Sequence, residues 1–305
     1  MTVVLKNEFL ELVLDPERGT SILACFWRRR GKRFPLMPDA RKPGTGLKAA
    51  SFLMVPYSNR IENGVFTFQG RSHSLKRAGE HAIHGDVRQR PWRIETAGDR
   101  GLECSFDSRL QADCNWPWPF SSRVEYRLDG SALISRLELR NEGSEPMPAG
   151  LGWHPYFSRN PSRPGEEVRV GFRVRQAYPD DNGTRIPSGP PRSLKPEENF
   201  SRERVLPPNL FLDTCFRGFE GRASIAWPES GIRLEIETGE PCGHLVVYNP
   251  PGKPWFALEP VSNANNGVNL LAAGDRGAGV AVLEPGQEMA AESAIKVGPI
   301  SAAEK

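Results

Sequence analysis

Apolar and polar residues alternate with a period of two along much of this chain. In the clearest stretch, Val124, Tyr126 and Leu128 alternate with charged residues. Asp129 and Gly130 follow and are expected to take the positive φ angles of a tight turn, after which the alternation resumes. Because successive side chains of a strand point to opposite faces of a sheet, the pattern predicts a β-hairpin with one buried face.

Similar short runs recur along the chain at 9–14, 65–68, 232–237, 245–248, 255–258 and 280–283. Turns rich in Gly, Pro, Asn and Asp separate them, and the 305 residues include 30 Gly and 28 Pro, which disfavours a mainly helical protein. The sequence therefore predicts an all-β fold, a large antiparallel β-sandwich, with a single domain over 1–305. The Pro-, Arg- and Glu-rich segment 158–208 is interpreted as loops within that domain.

Charge and cysteine content exclude several classes of function. Lys and Arg number 40 against 37 Asp and Glu, a surplus too small for an electrostatic grip on nucleic acid. No apolar stretch is long enough to span a membrane and the first residues lack a signal-peptide pattern. Five cysteines without a C-x-x-C pair indicate neither a disulfide framework nor a zinc site. We expect a cytoplasmic protein with no nucleic-acid or membrane partner, either a monomer or a homodimer.

Histidine is scarce, which narrows the search for a site. His81 and His84 form an H-x-x-H spacing, but no further metal-ligand motif accompanies them, so we expect no metal. Gly85 after His84 allows a sharp turn that exposes the imidazole, although a loop histidine satisfied by backbone groups is an equally ordinary interpretation.

Two further residues are candidates for acid–base chemistry. His154 lies among aromatic residues in GLGWHPYF, where burial lowers the pKa of an imidazole and a nearby carboxylate raises it. Glu259 follows an apolar run and precedes Pro260, which is expected to end the strand there. Burial near aromatics would raise the pKa of Glu259 toward that of a general base. A core histidine and a surface glutamate are the alternatives.

Other polar and aromatic residues are candidates for binding a ligand. Asp213 interrupts the apolar run LFLDTCF, so its carboxylate must be paired or functional. Arg60 presents a fork of donors that suits sugar hydroxyls or a structural ion pair. Trp116 and Trp118 could stack on a sugar, but core packing is the commoner role of such residues.

Five segments in chain order resemble the aldose 1-epimerase family, the galactose mutarotases. They are NRIENGVFTFQG (59–70), AIHGDVRQRPW (82–92), GLGWHPYF (150–157), FLDTCF (211–216) and LEPVSNANN (258–266). The resemblance covers nearly the whole chain. It implies a β-sandwich of the galactose mutarotase-like type, with an open cleft on one sheet, a small-molecule sugar as substrate and no cofactor.

The resemblance also implies residue roles. Arg60 and His84 would hydrogen-bond the sugar, and Asp213 would bind its hydroxyls. His154 would protonate the ring oxygen as the acid, and Glu259 would act as the base on the anomeric hydroxyl.

The chain departs from the family pattern at two positions. Asp86 stands where a second Gly often follows the His-Gly pair, and Val246 stands where a Gln is common before Val-Tyr. Both departures bear on sugar specificity.

Three other functions remain open from the sequence. Arg88, Arg90 and Arg93 follow His84 closely, which would suit a mutarotase of a charged sugar such as a hexose 6-phosphate or a sulfonated hexose. A non-catalytic carbohydrate-binding protein would need no His154 and Glu259 pair. A glycosidase would use Asp213 and Glu259 as its two carboxylates.

Overall fold

The computed structural model describes residues 2–76 and 79–300, and in them the chain is almost entirely antiparallel β-structure, as the alternation predicted. The strands of the first part are β1 (Val3–Lys6), β2 (Leu10–Asp15), β3 (Ser21–Arg29), β4 (Lys32–Met37), β5 (Leu53–Met54), β6 (Arg60–Glu62), β7 (Val65–Phe68), β8 (Arg71–Ser74) and β9 (His81–Ile83). Those of the middle part are β10 (Arg93–Ala97), β11 (Gly101–Asp107), β12 (Phe120–Asp129), β13 (Ala132–Asn141), β14 (Met147–Ala149), β15 (Gly152–Trp153), β16 (Tyr156–Ser158), β17 (Arg169–Phe172), β18 (Gln176–Ala177) and β19 (Arg204–Val205). The last are β20 (Leu212–Arg217), β21 (Arg222–Trp227), β22 (Ile232–Thr238), β23 (His244–Asn249), β24 (Trp255–Val261), β25 (Ala281–Leu283) and β26 (Glu288–Pro299).

Helices are short. The α-helix α1 (Gly267–Ala272) follows β24, and 3-10 turns lie at Pro16–Arg18, Ser108–Leu110 and Pro196–Glu198. Among residues 2–76 and 79–300, no helix is long and apolar enough to cross a bilayer.

Two large sheets enclose the main core. Within the described residues, nine strands form the larger sheet in the order β10-β11-β12-β13-β26-β22-β21-β17-β19. The second sheet has the order β18-β20-β23-β24-β15-β5, with β16 also paired to β24. Leu137 and Ile236 of the larger sheet belong to the same buried cluster as Phe216 and Leu258 of the second sheet. The two sheets therefore bury their inner faces against a common core; that residues 1–305 form one domain stays a prediction.

The predicted hairpin is present, with its turn one residue later than expected. β12 and β13 pair in register up to Asp129 opposite Ala132, so Gly130 and Ser131 form the loop. Only Gly130 of the predicted Asp129-Gly130 pair has a positive φ, 53°, and Asp129 is the last residue of the strand. A glycine at the first loop position suffices because its missing Cβ permits this angle.

The prediction that Pro260 ends its strand is wrong, because β24 continues through Pro260 to Val261. β15 pairs with β24 at Val261 and β16 pairs with it at 255–257. Between them the chain leaves the ladder at His154 and Pro155. A residue without an N–H is tolerated opposite such a gap, since no neighbouring strand needs its donor.

The outer face of the second sheet carries a smaller apolar cluster of its own. Phe52, Met54, Cys215, Val246 and Val261 are its main members, and Tyr156 packs against it. All seven residues of β24 are consequently buried, including its one carboxylate. Glu259 lies on this face between members of the apolar cluster, with Val246 opposite it and Val261 two residues further along β24.

Candidate active site

Cross-strand pairing places the predicted carboxylates on one face of the second sheet. Glu259 of β24 lies opposite Val246 of β23, which lies opposite Cys215 of β20. Asp213 lies opposite Tyr248, two residues further along the same strands and therefore on the same face. Because directly opposite residues share a face, these side chains all project from the outer face of the sheet.

His154 lies where the chain leaves the ladder between β15 and β16, opposite the part of β24 that carries Glu259. Its Nε2 atom is 3.1 Å from Glu259 Oε1, and both side chains are buried. His154 Nδ1 and Glu259 Oε2 have no hydrogen-bond partner among the described residues. The two residues therefore meet 105 positions apart in sequence and keep polar atoms available to a ligand.

Burial shifts both groups toward their neutral forms. It lowers the pKa of His154 from 6.5 to about 3, with the positive charges of Arg88 and Arg60 acting in the same direction. Burial also raises the pKa of Glu259 well above its usual value of 4.5, and Asp213 adds to the rise while Arg60 opposes it. With zero net charge, the buried pair shares one proton, which can lie on Glu259 or on His154.

His84 faces the pair from a strained loop. Its φ is 62° and that of Gly85 is 67°, so both residues take the left-handed conformation. The imidazole packs edge-on against that of His154, with 5.0 Å between ring centroids. The expected sharp turn at Gly85 is confirmed, and a Cβ there would collide with the carbonyl oxygen of Val55. The expectation that this turn exposes the imidazole is wrong, because His84 is buried.

Arg60 comes from the strand beside this loop. β6 pairs with β9 so that Arg60 is opposite Ile83, the residue before His84. Its Nη1 donates to Asn59 Oδ1 at 3.1 Å, and its positive charge lowers the pKa of both Glu259 and Asp213.

Asp213 is paired, as its position in an apolar run required. Its Oδ2 accepts a hydrogen bond from Nε of Arg185 at 2.9 Å. Burial raises the pKa of Asp213, and the hydrogen bond from Arg185 opposes that rise. Arg185 belongs to the segment 158–208, which the sequence indicated only as loops.

A cavity of about 510 Å³ joins these groups, and its lining includes all of the predicted residues, Arg60, His84, His154, Asp213 and Glu259. The cavity is also lined by residues that the sequence did not predict for the site, chiefly His81, Tyr156, Arg185 and Tyr248. Tyr156 is two residues from His154 in GLGWHPYF, so its place could have been anticipated from the motif. No sequence signal singled out Arg185 or Tyr248.

His81 is a further donor to this cavity. The backbone N–H of Asn63 donates to His81 Nδ1 at 3.0 Å, so the neutral ring carries its proton on Nε2. That nitrogen has no partner among the described residues. The H-x-x-H pair thus contributes hydrogen-bonding groups to one cavity, and within residues 2–76 and 79–300 no cluster of three or more His, Cys, Asp or Glu could hold a metal ion.

The two tryptophans of CNWPWPF belong to the core. Trp116 stacks on Phe66 with 5.0 Å between ring centroids and lies 5.1 Å from Tyr57. Trp118 packs edge-on against Phe68. Neither indole lines the cavity.

Asp86, the first departure from the family pattern, is turned into the protein. Arg90 donates to its side chain at 2.9 Å, and Cys114 and the backbone N–H of Asn115 donate to its second oxygen. It anchors the loop after β9 and does not line the cavity.

Comparison with known proteins gives a consistent family. A family model described as "Aldose 1-epimerase" matches residues 3–296. The uncharacterized protein YphB of Escherichia coli K12 is 26% identical over 298 residues, which cover 94% of this chain and 96% of YphB. The aldose 1-epimerase of the same organism is 29% identical over 129 residues, covering 41% of this chain and 36% of that protein.

Solved structures share the fold over nearly the whole chain. A candidate aldose 1-epimerase from Escherichia coli K12 superposes with a TM-score of 0.83 at 23% identity, covering 98% of this chain and 99% of that one. A galactose mutarotase-like protein from Lactobacillus casei gives a TM-score of 0.79 at 14% identity, with 98% and 100% covered. At these identities the likeness is one of fold.

Proposed function

The chain belongs to the aldose 1-epimerase family, and on this premise we propose that it interconverts the α and β anomers of a free aldose by acid–base ring opening and closure. The contact of 3.1 Å between His154 Nε2 and Glu259 Oε1 carries the proposal. The anomeric hydroxyl O1 and the ring oxygen O5 are bonded to the same carbon, C1. An acid and a base that serve both oxygens must therefore lie side by side, as these two do.

Ring opening transfers one proton to the sugar and takes one away. The carboxylate of Glu259 accepts the proton of O1 while protonated His154 delivers a proton to O5. The C1–O5 bond breaks, its electron pair goes to O5, and the O1 electrons form the C1=O1 carbonyl. After rotation about C1–C2, neutral His154 takes the O5 proton back, O5 attacks the other face of C1, and Glu259 returns a proton to O1.

Charge conservation suits this pair to its apolar surrounding. Burial favours the pair with both groups neutral. Once the sugar is bound, the shared proton moves from Glu259 to His154 across their 3.1 Å contact to give an imidazolium and a carboxylate, and ring opening returns both groups to their neutral forms. The sum is zero at each stage, so no net charge has to be desolvated during the cycle. Each proton transfer of this kind contributes about 10² to 10⁴ in rate.

The remaining groups would hold the sugar. Asp213 Oδ2 is fixed by Arg185, so the carboxylate is oriented to accept hydrogen bonds from hydroxyls. Arg60 is a donor, and His84 Nδ1 lacks a partner among the described residues. Holding the sugar in this way keeps O1 and O5 next to His154 and Glu259. This fixed geometry lowers the activation barrier of the reaction.

The test is the anomer exchange rate of pure aldoses, measured by NMR exchange or polarimetry with and without protein. We expect Glu259→Gln and His154→Asn each to lower kcat by at least about 10² while circular dichroism stays native. Glu237→Gln, an exposed glutamate on β22, is the matched control and should keep the wild-type rate.

Contrary outcomes distinguish the alternatives. A wild-type rate in either pair variant would refute the proton-transfer roles. Sugar binding without any exchange would indicate a carbohydrate-binding protein, and release of new reducing ends from a glycoside would indicate a glycosidase.

A further inference from the structure

A second cavity of about 700 Å³ adjoins the active-site cavity and shares His84 and Tyr156 with it. Its cationic lining residues are Arg18, Lys48 and Arg88. No carboxylate is among the described residues that line it. The cavity is therefore a positively charged extension of the active site.

Arg88 is the cation of this lining whose charge acts on His154. Of the arginines that follow His84, Arg90 is bound to Asp86 at 2.9 Å and to Asp113 at 2.6 Å, and Arg93 is bound to Glu95 at 2.6 Å.

Arg88 has no ion pair or side-chain hydrogen bond to the described residues. Its guanidinium lies 5.4 Å from the ring centroid of Phe52. Burial lowers the pKa of Arg88, and only Tyr57 and Tyr156 oppose that shift. A cation that is largely withdrawn from water without an acidic partner is costly, which indicates that its counter-charge comes from a ligand.

The backbone that carries Arg88 is held in place. The N–H of Asp86 donates to the carbonyl of Val55 at 2.7 Å, and the N–H of Gly19 donates to the carbonyl of Arg90 at 2.7 Å. Gly19 packs so closely that a Cβ there would lie 2.6 Å from the backbone of Arg88. The guanidinium is thus presented from a fixed loop, which reduces the entropy lost on binding.

The chemistry of a pyranose gives the direction in which the sugar extends. O5 is bonded to C5, and C5 carries C6, so C6 projects from the side of the sugar served by His154. The His154 ring is flanked by Phe52 and Tyr156, each 4.5 Å away between centroids, and by His84. These three rings also line the second cavity. Asp213 lies on the other side of Glu259, two strands away in the sheet.

We propose that the sugar of this active site carries an oxyanion, a phosphate ester or a sulfonate, on C6, and that Arg88 binds this group in the second cavity. The inference rests on the proposed function, because the orientation of the sugar follows from the roles of His154 and Glu259. Arg88 then determines specificity for a charged sugar over a neutral one.

Binding can be measured apart from turnover with 1,5-anhydroglucitol 6-phosphate, which lacks the anomeric hydroxyl and cannot mutarotate. By calorimetry we expect it to bind the wild-type protein about 10- to 100-fold more tightly than 1,5-anhydroglucitol, the range of one charge-assisted contact. Arg88→Gln should lose most of that difference and Arg88→Lys should keep part of it. Arg93→Gln, whose arginine is exposed and paired with Glu95, is the control and should keep all of it.

Equal binding of the two ligands by the wild-type protein, or a phosphate preference that survives in Arg88→Gln, would overturn the inference. Exchange rates of glucose 6-phosphate and a 6-sulfonated glucose then tell which oxyanion is preferred. Anomer exchange of neutral glucose with no preference for either charged sugar refutes the inference and leaves the proposed function standing. Tight, Arg88-dependent binding of the phosphorylated ligand with no exchange of any aldose refutes the proposed function and leaves the oxyanion site standing.

Discussion

At the scale of the residue, the immediate neighbour of Glu259 sets its chemistry. Val246 lies directly opposite on β23 and offers no hydrogen bond, and Glu259 Oε2 has no partner among the described residues. Where a glutamine stood, its amide could donate to the carboxylate. The valine therefore helps burial to raise the pKa of Glu259.

We expect Val246→Gln to lower the pKa of Glu259, because a hydrogen bond to the ionised form stabilises it. The limb of the pH profile of kcat that reports this carboxyl should move to lower pH, which anomer exchange measured across pH will reveal. Val246→Leu keeps the position apolar and should leave the limb where it is. An unmoved limb in Val246→Gln would show that the two side chains do not interact.

The residues of the acid–base pair were accessible from the sequence because each lies in a motif with unusual local chemistry. His154 among aromatics and Glu259 after an apolar run were both candidates before the family resemblance was considered. Arg185 was not, because its role depends on how the loop at 180–185 packs. Its backbone carbonyl accepts from Asn265 at 2.8 Å, a contact across 80 residues that no local pattern encodes.

At the scale of the element, the loop after β9 carries both His84 and Arg88 and depends on one glycine. Gly85 combines a positive φ with close contact to the backbone of Val55. A side chain here would be strained twice, once by its own conformation and once by the neighbouring carbonyl.

Gly85→Ala is expected to cost at least about 3 kcal/mol of unfolding free energy and to remove most activity, because the clash displaces His84. The matched control is Gly70→Ala in the β7–β8 turn, where φ is 75° but nothing lies within 4 Å of the added Cβ. That change should cost only about 1 to 2 kcal/mol. Urea unfolding of both variants measures the difference, and equal losses would contradict the steric account.

Strand prediction succeeded where one face of a strand meets water and weakened where both faces are buried. In β12 buried and exposed residues alternate regularly, so the hairpin could be predicted from the sequence. In β24 every residue is buried and the alternation disappears, so the sequence predicts that the strand ends at Pro260 although it continues to Val261. The sequence does not encode the gap between β15 and β16 that makes this proline harmless.

At the scale of the whole molecule, buried histidines limit stability in acid. Burial lowers the pKa of His154 from 6.5 to about 3 and that of His244 to about 4, and it lowers the pKa of His84 well below 6.5. The unfolded chain takes up protons at these positions near pH 6.5 and the folded chain does not. The stability that these neutral histidines contribute is therefore present above pH 6.5 and falls as the pH drops toward 4.

His154→Asn should remove part of this acid sensitivity. We expect the wild-type protein to lose about 1 to 2 kcal/mol more unfolding free energy than the variant between pH 7.5 and pH 5. Urea unfolding at both pH values measures the two losses. Identical losses would mean that His154 is protonated in the folded state at pH 5. Glu259 acts in the opposite sense, since a raised carboxyl pKa removes stability as the pH rises.

The seclusion of His154 and Glu259 beneath the apolar cluster has a kinetic consequence. The anomers of a dissolved sugar equilibrate faster when buffer ions are added, because these ions transfer protons to and from the hemiacetal oxygens. Imidazole or phosphate in bulk solution cannot transfer protons to His154 and Glu259, because aromatic rings surround His154. The enzymatic rate, corrected for the background rate, should therefore stay constant when buffer concentration is raised about tenfold at fixed pH and ionic strength. Polarimetry measures both rates. A rate that rises with buffer concentration would mean that the pair exchanges protons with the solvent during turnover.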